Sequence, residues 1–378
     1  MSGATNGAVS ARLALEDGAI FVGQSFGAVR EGEGEVVFNT SHTGYQEIAT
    51  DPSYRGQIVV LTASQIGNTG WNARDWEAGR MALSGLVVRD LGHVASSWRS
   101  ESSLDEALRQ AGVPAIAGVD TRAITLRLRD KGALRGILTT RPERELSDEA
   151  LVKRVLGTPG LLGRDLIAEV ACTAPFAWDT PTFYGQPAPS VGEVIVYDFG
   201  VKRSILAQLV DVGFRVQVVP PSTPAGDVIA ARPAGVLLSN GPGDPAVLHE
   251  AAENARQLLA SGLPLVGVCL GHQILGHAIG GKTYKLKFGH HGGNQPVVEL
   301  ATGRVEITAQ NHGFAVDPAS LDGRAEVTHL NLNDRTVEGL RIPGKNCFAV
   351  QHHPEAGPGP NDSTHLFRRF AQMVKDAR

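Results

Sequence analysis

Residues 265–273 read Leu265-Val-Gly-Val-Cys269-Leu-Gly-His-Gln273, and this stretch decides how the second half of the chain folds. An apolar strand ends at Val268 and a helix begins directly after Cys269. This arrangement predicts a nucleophile elbow, in which the cysteine sits on a sharp turn with its side chain exposed above the sheet. Gly267 and Gly271 relieve the crowding of such a turn. The N–H groups that begin the helix favour the thiolate over the thiol. Alone, the stretch also allows Cys269 to be a buried small apolar residue.

Strand-like and helix-like segments alternate around this turn. Strands are predicted at 194–197, 215–219, 235–238 and 265–268, and helices at 203–212, 246–261 and 270–280. Such alternation predicts βαβ units, and therefore an open, mostly parallel sheet flanked by helices in an α/β domain. Ligands bind beyond the carboxyl ends of the strands in these sheets. The chemistry is therefore expected in the loops after Leu238, Val268 and Val350.

The first half of the chain predicts a β-rich α/β domain. Short apolar stretches at 11–15, 20–22 and 35–39 are separated by turns that contain glycine, and helices are predicted from Ser103 to Gly112 and over 121–131. Four prolines between residues 172 and 192 indicate a linker, because proline continues neither a helix nor a central strand. The predicted division is a first domain at 8–172, a linker at 173–192 and a second domain at 193–378.

Composition and charge exclude several classes of protein. The 378 residues accommodate two or three domains. The 35 basic and 39 acidic residues give a net charge of −4, which argues against a nucleic-acid partner. The three cysteines are too few for a disulfide framework and indicate a reducing compartment. No apolar run approaches the ~20 residues of a membrane helix, and Met1–Ser10 lacks a signal region. We expect a cytoplasmic protein with neither a membrane nor a nucleic-acid partner.

A second chemical motif lies near the carboxyl terminus, at Gln351-His-His-Pro-Glu355. A histidine titrates near neutrality, so it can hold a proton and return it to a leaving amine. Glu355 can orient that imidazole and stabilise its charged form, which completes a nucleophile, a base and an orienting carboxylate. The residue types do not decide whether His352 or His353 is the base. Whichever histidine is not the base would only cap the end of the strand.

The third motif is Ser239-Asn-Gly-Pro-Gly-Asp-Pro245, which follows a strand and precedes a helix. A glycine-rich loop in this place offers backbone N–H groups to an anion, as the oxyanion of an acyl-transfer intermediate requires. Taken alone, the stretch favours an ordinary turn between a strand and a helix.

Two further patterns imitate ligand sites. Residues 276–283 match the phosphate-loop spacing G-x-x-x-x-G-K-[ST], but they follow the helix after Cys269 and are expected to close it. The pairs His290-His291 and His352-His353 lack the spacing of metal ligands, and adjacent histidines on a strand point to opposite faces. We therefore predict neither a nucleotide site nor a metal site in this chain.

Together the motifs GVCLGHQ at 267–273, SNGPGDP at 239–245 and HPE at 353–355 resemble those of class I glutamine amidotransferases, over about residues 193–378. The resemblance implies that Cys269 is the nucleophile, His353 the acid and base, and Glu355 its orienting partner. Further roles implied by the resemblance are an oxyanion hole formed by the backbones of Gly243 and Leu270, and a glutamine site formed by Gly241, Gln273, Asn311, Gly313 and Phe314. The resemblance of the first half of the chain, described next, adds Ser53 to this glutamine site.

Three other stretches resemble the small subunit of carbamoyl-phosphate synthetases: NTSHTGYQEIATDPSY at 39–54, GVDTRAIT at 118–125 and KFGHHGGN at 287–294. This resemblance implies a heteromer with a large synthetase subunit. That partner would use ATP and magnesium to convert bicarbonate and ammonia from L-glutamine into carbamoyl phosphate, for pyrimidine and arginine biosynthesis. No cofactor is expected in this chain.

Three other functions are compatible with parts of the pattern. A cysteine peptidase built on the same elbow leaves residues 311–314 and the whole first half unexplained. A regulatory subunit with a decayed site conflicts with a complete set of Cys269, His353 and Glu355. An amidotransferase that serves another acceptor, such as the synthetases of anthranilate or of guanine and cytosine nucleotides, lacks the stretch at 39–54.

Overall fold

The computed structural model describes residues 9–186 and 188–377, and the chain divides into two compact units, Met1–Leu161 and Leu162–Arg378. This division falls earlier than the boundary predicted at residue 172, and the predicted linker 173–192 belongs to the second unit. Pro187 of that linker and the predicted outer limits at residues 8 and 378 lie outside the described residues.

The first unit is rich in strands, as predicted, and the structure shows that these strands form a closed barrel. Its strands are β1 (Ser10–Leu15), β2 (Ile20–Gly27), β3 (Gly32–Asn39), β4 (Gln57–Leu61), β5 (Gln65–Ile66), β6 (Gly85–Val87), β7 (Asp90–Leu91), β8 (Pro114–Ala117) and β9 (Leu134–Thr139). Its helices are α1 (Tyr45–Thr50), α2 (Leu104–Ala111), α3 (Thr121–Lys131) and α4 (Asp148–Leu156). The barrel order is β1-β2-β8-β6-β4-β3-β9, and β5 pairs separately with β7. Leu13, Val36 and Val60 belong to one of its buried apolar clusters.

The predicted caps of the first unit's helices are confirmed. Ser103 accepts a hydrogen bond from the Glu106 N–H at the start of α2, and Asp120 accepts one from Ala123 at the start of α3. Gly112 ends α2 at φ 71°, a left-handed conformation that glycine adopts without strain.

The second unit contains an open ten-stranded sheet flanked by helices. Its strands are β10 (Phe176–Trp178), β11 (Gly192–Tyr197), β12 (Phe214–Val219), β13 (Gly235–Leu238), β14 (Leu265–Val268), β15 (Thr283–Glu299), β16 (Val305–Val316), β17 (Glu326–Asn331), β18 (Val337–Arg341) and β19 (Cys347–Val350). Its helices are α5 (Arg203–Asp211), α6 (Ala225–Ala230), α7 (His249–Ser261), α8 (Leu270–Ala278) and α9 (His365–Asp376). The α/β class is confirmed, and none of the helices in the described residues is long and apolar enough to span a membrane.

The parallel strands are the ones that the alternating pattern predicts. The order of the sheet is β10-β12-β11-β13-β14-β19-β18-β17-β15-β16, and the pairings from β12 to β19 are parallel. The structure adds an antiparallel extension, β18-β17-β15-β16, beyond β19. At the opposite edge, β10 pairs with β12 in antiparallel register, which explains why the proline-rich segment belongs to the second unit.

Alternation along β11 divides the core of this unit between the two faces of the sheet. Val194 and Val196 lie in one apolar cluster and Ile195 and Tyr197 in another, as the period of two in a strand requires. Since β11, β13, β14 and β19 are parallel, their carboxyl ends meet at the same edge of the sheet. The loops that follow these four strands form the site described next.

Candidate active site

Cys269 lies at a sharp turn between β14 and α8, as the sequence predicts. Its backbone adopts φ 53° and ψ −104°, a conformation that residues other than glycine rarely occupy. The two flanking glycines are sterically required. A Cβ on Gly267 would lie 2.6 Å from the Gly271 carbonyl oxygen, and one on Gly271 would lie 2.6 Å from the Leu238 carbonyl carbon. The turn therefore brings the start of α8 directly against the end of β13.

The surroundings of the Cys269 sulfur differ from the expectation in one respect. The side chain was expected to be exposed, but the residue is only 2% exposed. Residues on β16 and after β19 cover it, since Sγ lies 3.6 Å from the Asn311 carbonyl oxygen and 3.7 Å from Nε2 of Gln351. The sulfur thus has polar neighbours although it is buried.

His353 and Glu355 form a buried pair beside this sulfur. Nδ1 of His353 lies 2.6 Å from Oε1 of Glu355, and the His353 backbone N–H donates to the Ala309 carbonyl at 2.9 Å. Burial lowers the pKa of His353, but the Glu355 carboxylate and the Cys269 side chain outweigh it, so that pKa is raised. The bond to Glu355 leaves Nε2 as the ring nitrogen that can exchange a proton with other groups.

A buried lysine completes the charge arrangement. Nζ of Lys202, in the loop after β11, lies 2.9 Å from Oε1 of Glu355 and donates to the Ala356 carbonyl at 2.7 Å. Burial raises the pKa of Glu355, but Lys202 and His353 more than compensate, so that pKa is lowered. The carboxylate consequently remains charged and favours an imidazolium at His353.

The structure separates the two adjacent histidines. The ring of His352 is fully buried and faces Glu338 instead of Glu355. Its Nδ1 lies 3.9 Å from Oε2 of Glu338, and its ring centroid lies 5.9 Å from that of His329. Of the two histidines, only His353 therefore lies beside Cys269 and Glu355.

The glycine-rich loop after β13 is held close to the turn at Cys269. The Gly271 N–H donates to the Ser239 carbonyl at 3.0 Å. A Cβ on Gly241 would lie 2.9 Å from Cδ2 of Leu270, and Gly243 adopts φ 96° with the position of a Cβ only 2.7 Å from the Arg164 carbonyl. Backbone rather than side chains thus lines this part of the site, as a site for an anion requires.

Residues 311–314 of β16 form another wall of the site. The Phe314 carbonyl accepts a hydrogen bond from Nε2 of Gln273 at 2.8 Å, which joins β16 to α8. A Cβ built on Gly313 would meet no atom of the described residues within 4 Å. The structure therefore brings Gly241, Gly243, Cys269, Leu270, Gln273, Asn311, Gly313, Phe314, His353 and Glu355 into the same unit, around the carboxyl ends of β13, β14 and β19 and on β16.

Comparison with known families gives one match within each of the two units. Residues 195–373 match the family described as glutamine amidotransferase class-I, and residues 13–138 match the one described as carbamoyl-phosphate synthase small chain, CPSase domain. The carbamoyl phosphate synthase small chain of Syntrophotalea carbinolica is 52% identical, over 98% of this chain and 99% of that protein. The chain belongs to the carbamoyl phosphate synthase small chain family.

Other members of the family are similar over nearly the whole chain. The carbamoyl phosphate synthase small chain of Nitratidesulfovibrio vulgaris is 50% identical, over 97% of this chain and 99% of that protein. The chloroplastic carbamoyl phosphate synthase small chain of Arabidopsis thaliana is 48% identical, over 98% of this chain and 86% of that protein. The small chain family therefore accounts for both units, and the class I amidotransferase domain is the second of them.

Ser53, which the resemblance to small chains assigns to glutamine, belongs to the first unit. It lies in a short 3-10 helix, Pro52–Tyr54, where its backbone N–H donates to Oδ1 of Asp51 at 2.9 Å. The side chain is buried. Its contact with glutamine stays a prediction.

Two residues that contact the groups of this site, Lys202 and Gln351, were given no role in the sequence analysis. Lys202 follows Tyr197-Asp-Phe-Gly-Val201, so the only available signal was a cation in a loop after an apolar strand. Gln351 directly precedes the two histidines and is fully buried. Neither position reveals its partner, because those partners lie 153 and 82 residues away along the chain.

A group of buried ionisable residues on β15, β16 and β18 was also missed. His290, His312 and Glu338 offer ligand atoms that lie within 4.8 Å of one another, so these three could hold a metal ion. His290 is already paired, with Nε2 2.8 Å from Asp334 and Nδ1 3.6 Å from Glu338. Burial lowers the pKa of His290, but these two carboxylates raise it to about 9. The imidazolium therefore supplies the positive charge here, and the absence of a metal stays a prediction.

Proposed function

We propose that this chain is the glutamine-hydrolysing subunit of a carbamoyl-phosphate synthase, and that it delivers ammonia to a large synthetase subunit. The observation that carries this proposal is the position of His353 between the Glu355 carboxylate and the Cys269 side chain. A buried imidazole with these two neighbours can take the thiol proton and later give it to a leaving nitrogen.

The first half of the proposed reaction forms a thioester. The Cys269 thiolate attacks the side-chain carboxamide carbon of glutamine, and the carbonyl oxygen becomes an oxyanion. The backbone N–H groups of Leu270 and Gly243 lie on the two segments suited to receive this charge, the start of α8 and the glycine-rich loop. The carbon–nitrogen bond then breaks while His353 gives its proton to the nitrogen, which releases ammonia and leaves a glutamyl thioester on Cys269.

The second half regenerates the enzyme. His353, now neutral, takes a proton from water as the water attacks the thioester carbonyl carbon. The carbon–sulfur bond breaks, glutamate leaves, and the sulfur departs as the thiolate beside the imidazolium. Glu355 and Lys202 keep their charges throughout, so Glu355 acts by orienting the imidazole and stabilising its charged form.

We assign the recognition of glutamine to the residues that lie around the Cys269 sulfur. Gln273, Asn311, Gly313 and Phe314 border the space near Cys269, and Gly241 lies beside Leu270. We further propose that Ser53 of the first unit contacts the same substrate.

The chemistry of the product requires a partner. Ammonia released into water is protonated and loses its nucleophilicity, so it is useful only where a second active site receives it directly. The large subunit would supply that site and bind the ATP and magnesium that convert bicarbonate and ammonia into carbamoyl phosphate, for pyrimidine and arginine synthesis. We place this heteromer in the cytoplasm, because the three free cysteines, Cys172, Cys269 and Cys347, fit a reducing compartment.

The test uses the complex copurified with its large subunit. Carbamoyl phosphate formation is measured with glutamine and then with ammonium chloride as the nitrogen source. We expect Cys269→Ala to abolish the glutamine-dependent reaction and to spare the ammonia-dependent one. A Cys269→Ala complex that still hydrolyses glutamine at the wild-type rate would refute the proposal.

A further inference from the structure

Gln351 is a fully buried carboxamide that contacts the proposed nucleophile. It directly follows β19, and its backbone N–H donates to the Glu338 carbonyl on β18 at 2.9 Å, which fixes the start of the side chain. Its Nε2 lies 3.7 Å from Sγ of Cys269, and its Oε1 lies 3.0 Å from Nε2 of Gln273. One side chain therefore bridges the sulfur and a proposed substrate-binding residue.

The orientation of the Gln351 amide follows from a chain of fixed partners. The Phe314 carbonyl only accepts hydrogen bonds, so the Gln273 atom 2.8 Å from it must be the donor nitrogen. That same nitrogen faces Gln351 and needs an acceptor there, so the oxygen of Gln351 points to Gln273. The nitrogen of Gln351 then points to the sulfur, and flipping either amide would place two acceptors or two donors against each other.

The sulfur consequently has a different polar partner in each protonation state. As a thiol, Cys269 can donate to the Asn311 carbonyl, whose oxygen lies 3.6 Å away. As a thiolate, Cys269 has no proton to donate, and its negative charge would be repelled by the partial negative charge of that carbonyl oxygen. The N–H of Gln351 is then a side-chain donor to the thiolate in addition to His353, and hydrogen bonds to charged groups in buried surroundings are the strong ones.

We infer that Gln351 is a positioning residue for the glutaminase reaction: its amide N–H holds the Cys269 sulfur as a thiolate, while its oxygen holds Gln273 in the orientation that receives glutamine. This inference rests on the proposed function and adds to it a residue outside the set of Cys269, His353 and Glu355. Nucleophile and substrate site are thereby joined through one carboxamide.

Two replacements of similar size separate the roles of the two ends. Gln351→Met removes both the donor and the acceptor. Gln351→Glu keeps an oxygen toward Gln273 but offers no N–H to the sulfur. Both leave His353, Glu355 and Lys202, the charged groups beside the sulfur, in place. Gln310→Met is the matched control, because Gln310 is also a buried carboxamide but bonds to His290 and His312 instead.

The decisive measurement is the pH dependence of alkylation of Cys269 by iodoacetamide in the complex, followed by mass spectrometry of the peptide that contains Cys269. We expect the pH midpoint of alkylation to rise by about one unit or more in both Gln351 variants, because a charge-assisted hydrogen bond to the thiolate is lost. The Gln310→Met midpoint should equal that of the wild type, since its carboxamide does not touch the sulfur.

Steady-state glutamine hydrolysis gives the second measurement. The kcat of both Gln351 variants should fall by about 10- to 100-fold. The KM for glutamine should rise in Gln351→Met and less in Gln351→Glu, which keeps the acceptor for Gln273. If Gln351→Met does not fold, Gln351→Leu, which also lacks the N–H group and adds no charge beside the sulfur, takes its place.

The outcomes distinguish this inference from the proposed function. If the Gln351 variants hydrolyse glutamine at the wild-type rate and their pH midpoints of alkylation are unshifted, Gln351 only fills space and the inference is overturned. A wild-type complex that does not hydrolyse glutamine would overturn the proposed function, while the alkylation profiles would still test the contact between Gln351 and the sulfur.

Discussion

Replacement of Gly271 by alanine tests the close approach between α8 and β13 on which the site depends. A Cβ at this position would lie 2.6 Å from the Leu238 carbonyl carbon and 2.8 Å from its Cβ, with the carbonyl oxygen closer still. Carbon atoms in contact are normally about 3.5–4.0 Å apart, so the helix and the strand must separate by roughly 1 Å. The obstacle is backbone, which cannot rotate away.

The free-energy change follows from three contributions. Overpacking of this kind costs about 1–3 kcal/mol, and weakening the hydrogen bond from the Gly271 N–H to the Ser239 carbonyl adds about 1 kcal/mol. The higher helix propensity of alanine offsets up to about 1 kcal/mol of this destabilisation. Because the obstacle is backbone, the overpacking cost lies in the upper half of its range and the other two contributions nearly cancel, so we expect a net destabilisation of about 2–3 kcal/mol. For a unit of this size, that lowers the melting temperature by roughly 5–10 °C.

Gly276→Ala is the control in the same helix. Its Cβ would meet Cγ2 of Val316 at 3.1 Å, a side-chain methyl group that needs to move by only a few tenths of an ångström. The gain in helix propensity offsets this contact, so the melting temperature should stay within about 3 °C of the wild type.

The assay is differential scanning calorimetry combined with glutamine hydrolysis by the complex. Gly271→Ala should also lower kcat/KM for glutamine by about 100-fold, because it moves the glycine-rich loop relative to Cys269. If Gly271→Ala and Gly276→Ala melt at the same temperature and hydrolyse glutamine equally fast, the steric reasoning is wrong.

Three further predictions concern the turn and the buried histidines. Cys269→Gly should be about 1 kcal/mol more stable to unfolding than Cys269→Ala and should therefore melt at a higher temperature, because glycine relieves the strain at φ 53°. Equal melting temperatures would argue against strain at this turn. His290→Asn should be destabilised relative to the wild type most strongly below about pH 6.5. The difference should shrink as pH rises through about 9, because the raised pKa of His290 means that the folded state retains a proton which the unfolded state loses first. Denaturant unfolding at pH 6 and pH 10 measures this, and a difference that grows with pH would contradict the pairing. His353→Asn should lose at least about 10²-fold in kcat for glutamine hydrolysis, whereas His352→Asn should retain more of the activity, and the reverse order would exchange the roles of the two histidines.

Contiguous patterns in the sequence predicted the parts of the structure that depend on near neighbours. The turn at Cys269 was predictable because an apolar strand, one residue and a helix follow one another directly, with glycines where backbone segments approach. The limits of α3 were predictable from its aspartate cap and its terminal glycine, and those of β13 from its apolar run.

Other features depend on the order of the strands in the sheet, which periodicity does not encode. Three stretches, after Leu238, Val268 and Val350, were correctly assigned to loops at one edge of the sheet, but their residue types did not show that Lys202 would pair with Glu355. The burial of Cys269 was missed for the same reason, because the residues that cover it come from β16 and from the segment after β19.

The strand, turn and helix around Cys269, the alternation that produces the parallel sheet, and the residue types available for chemistry could all be read from the amino-acid sequence. These features follow from local backbone preferences and from the burial of apolar faces. Three other features required the folded arrangement: the choice between His352 and His353, the orientation of the Gln351 amide toward the sulfur, and the pairing of His290 with its two carboxylates. Each of these depends on distances between atoms that are far apart along the chain, and such distances are set only when the strands take their places in the sheet.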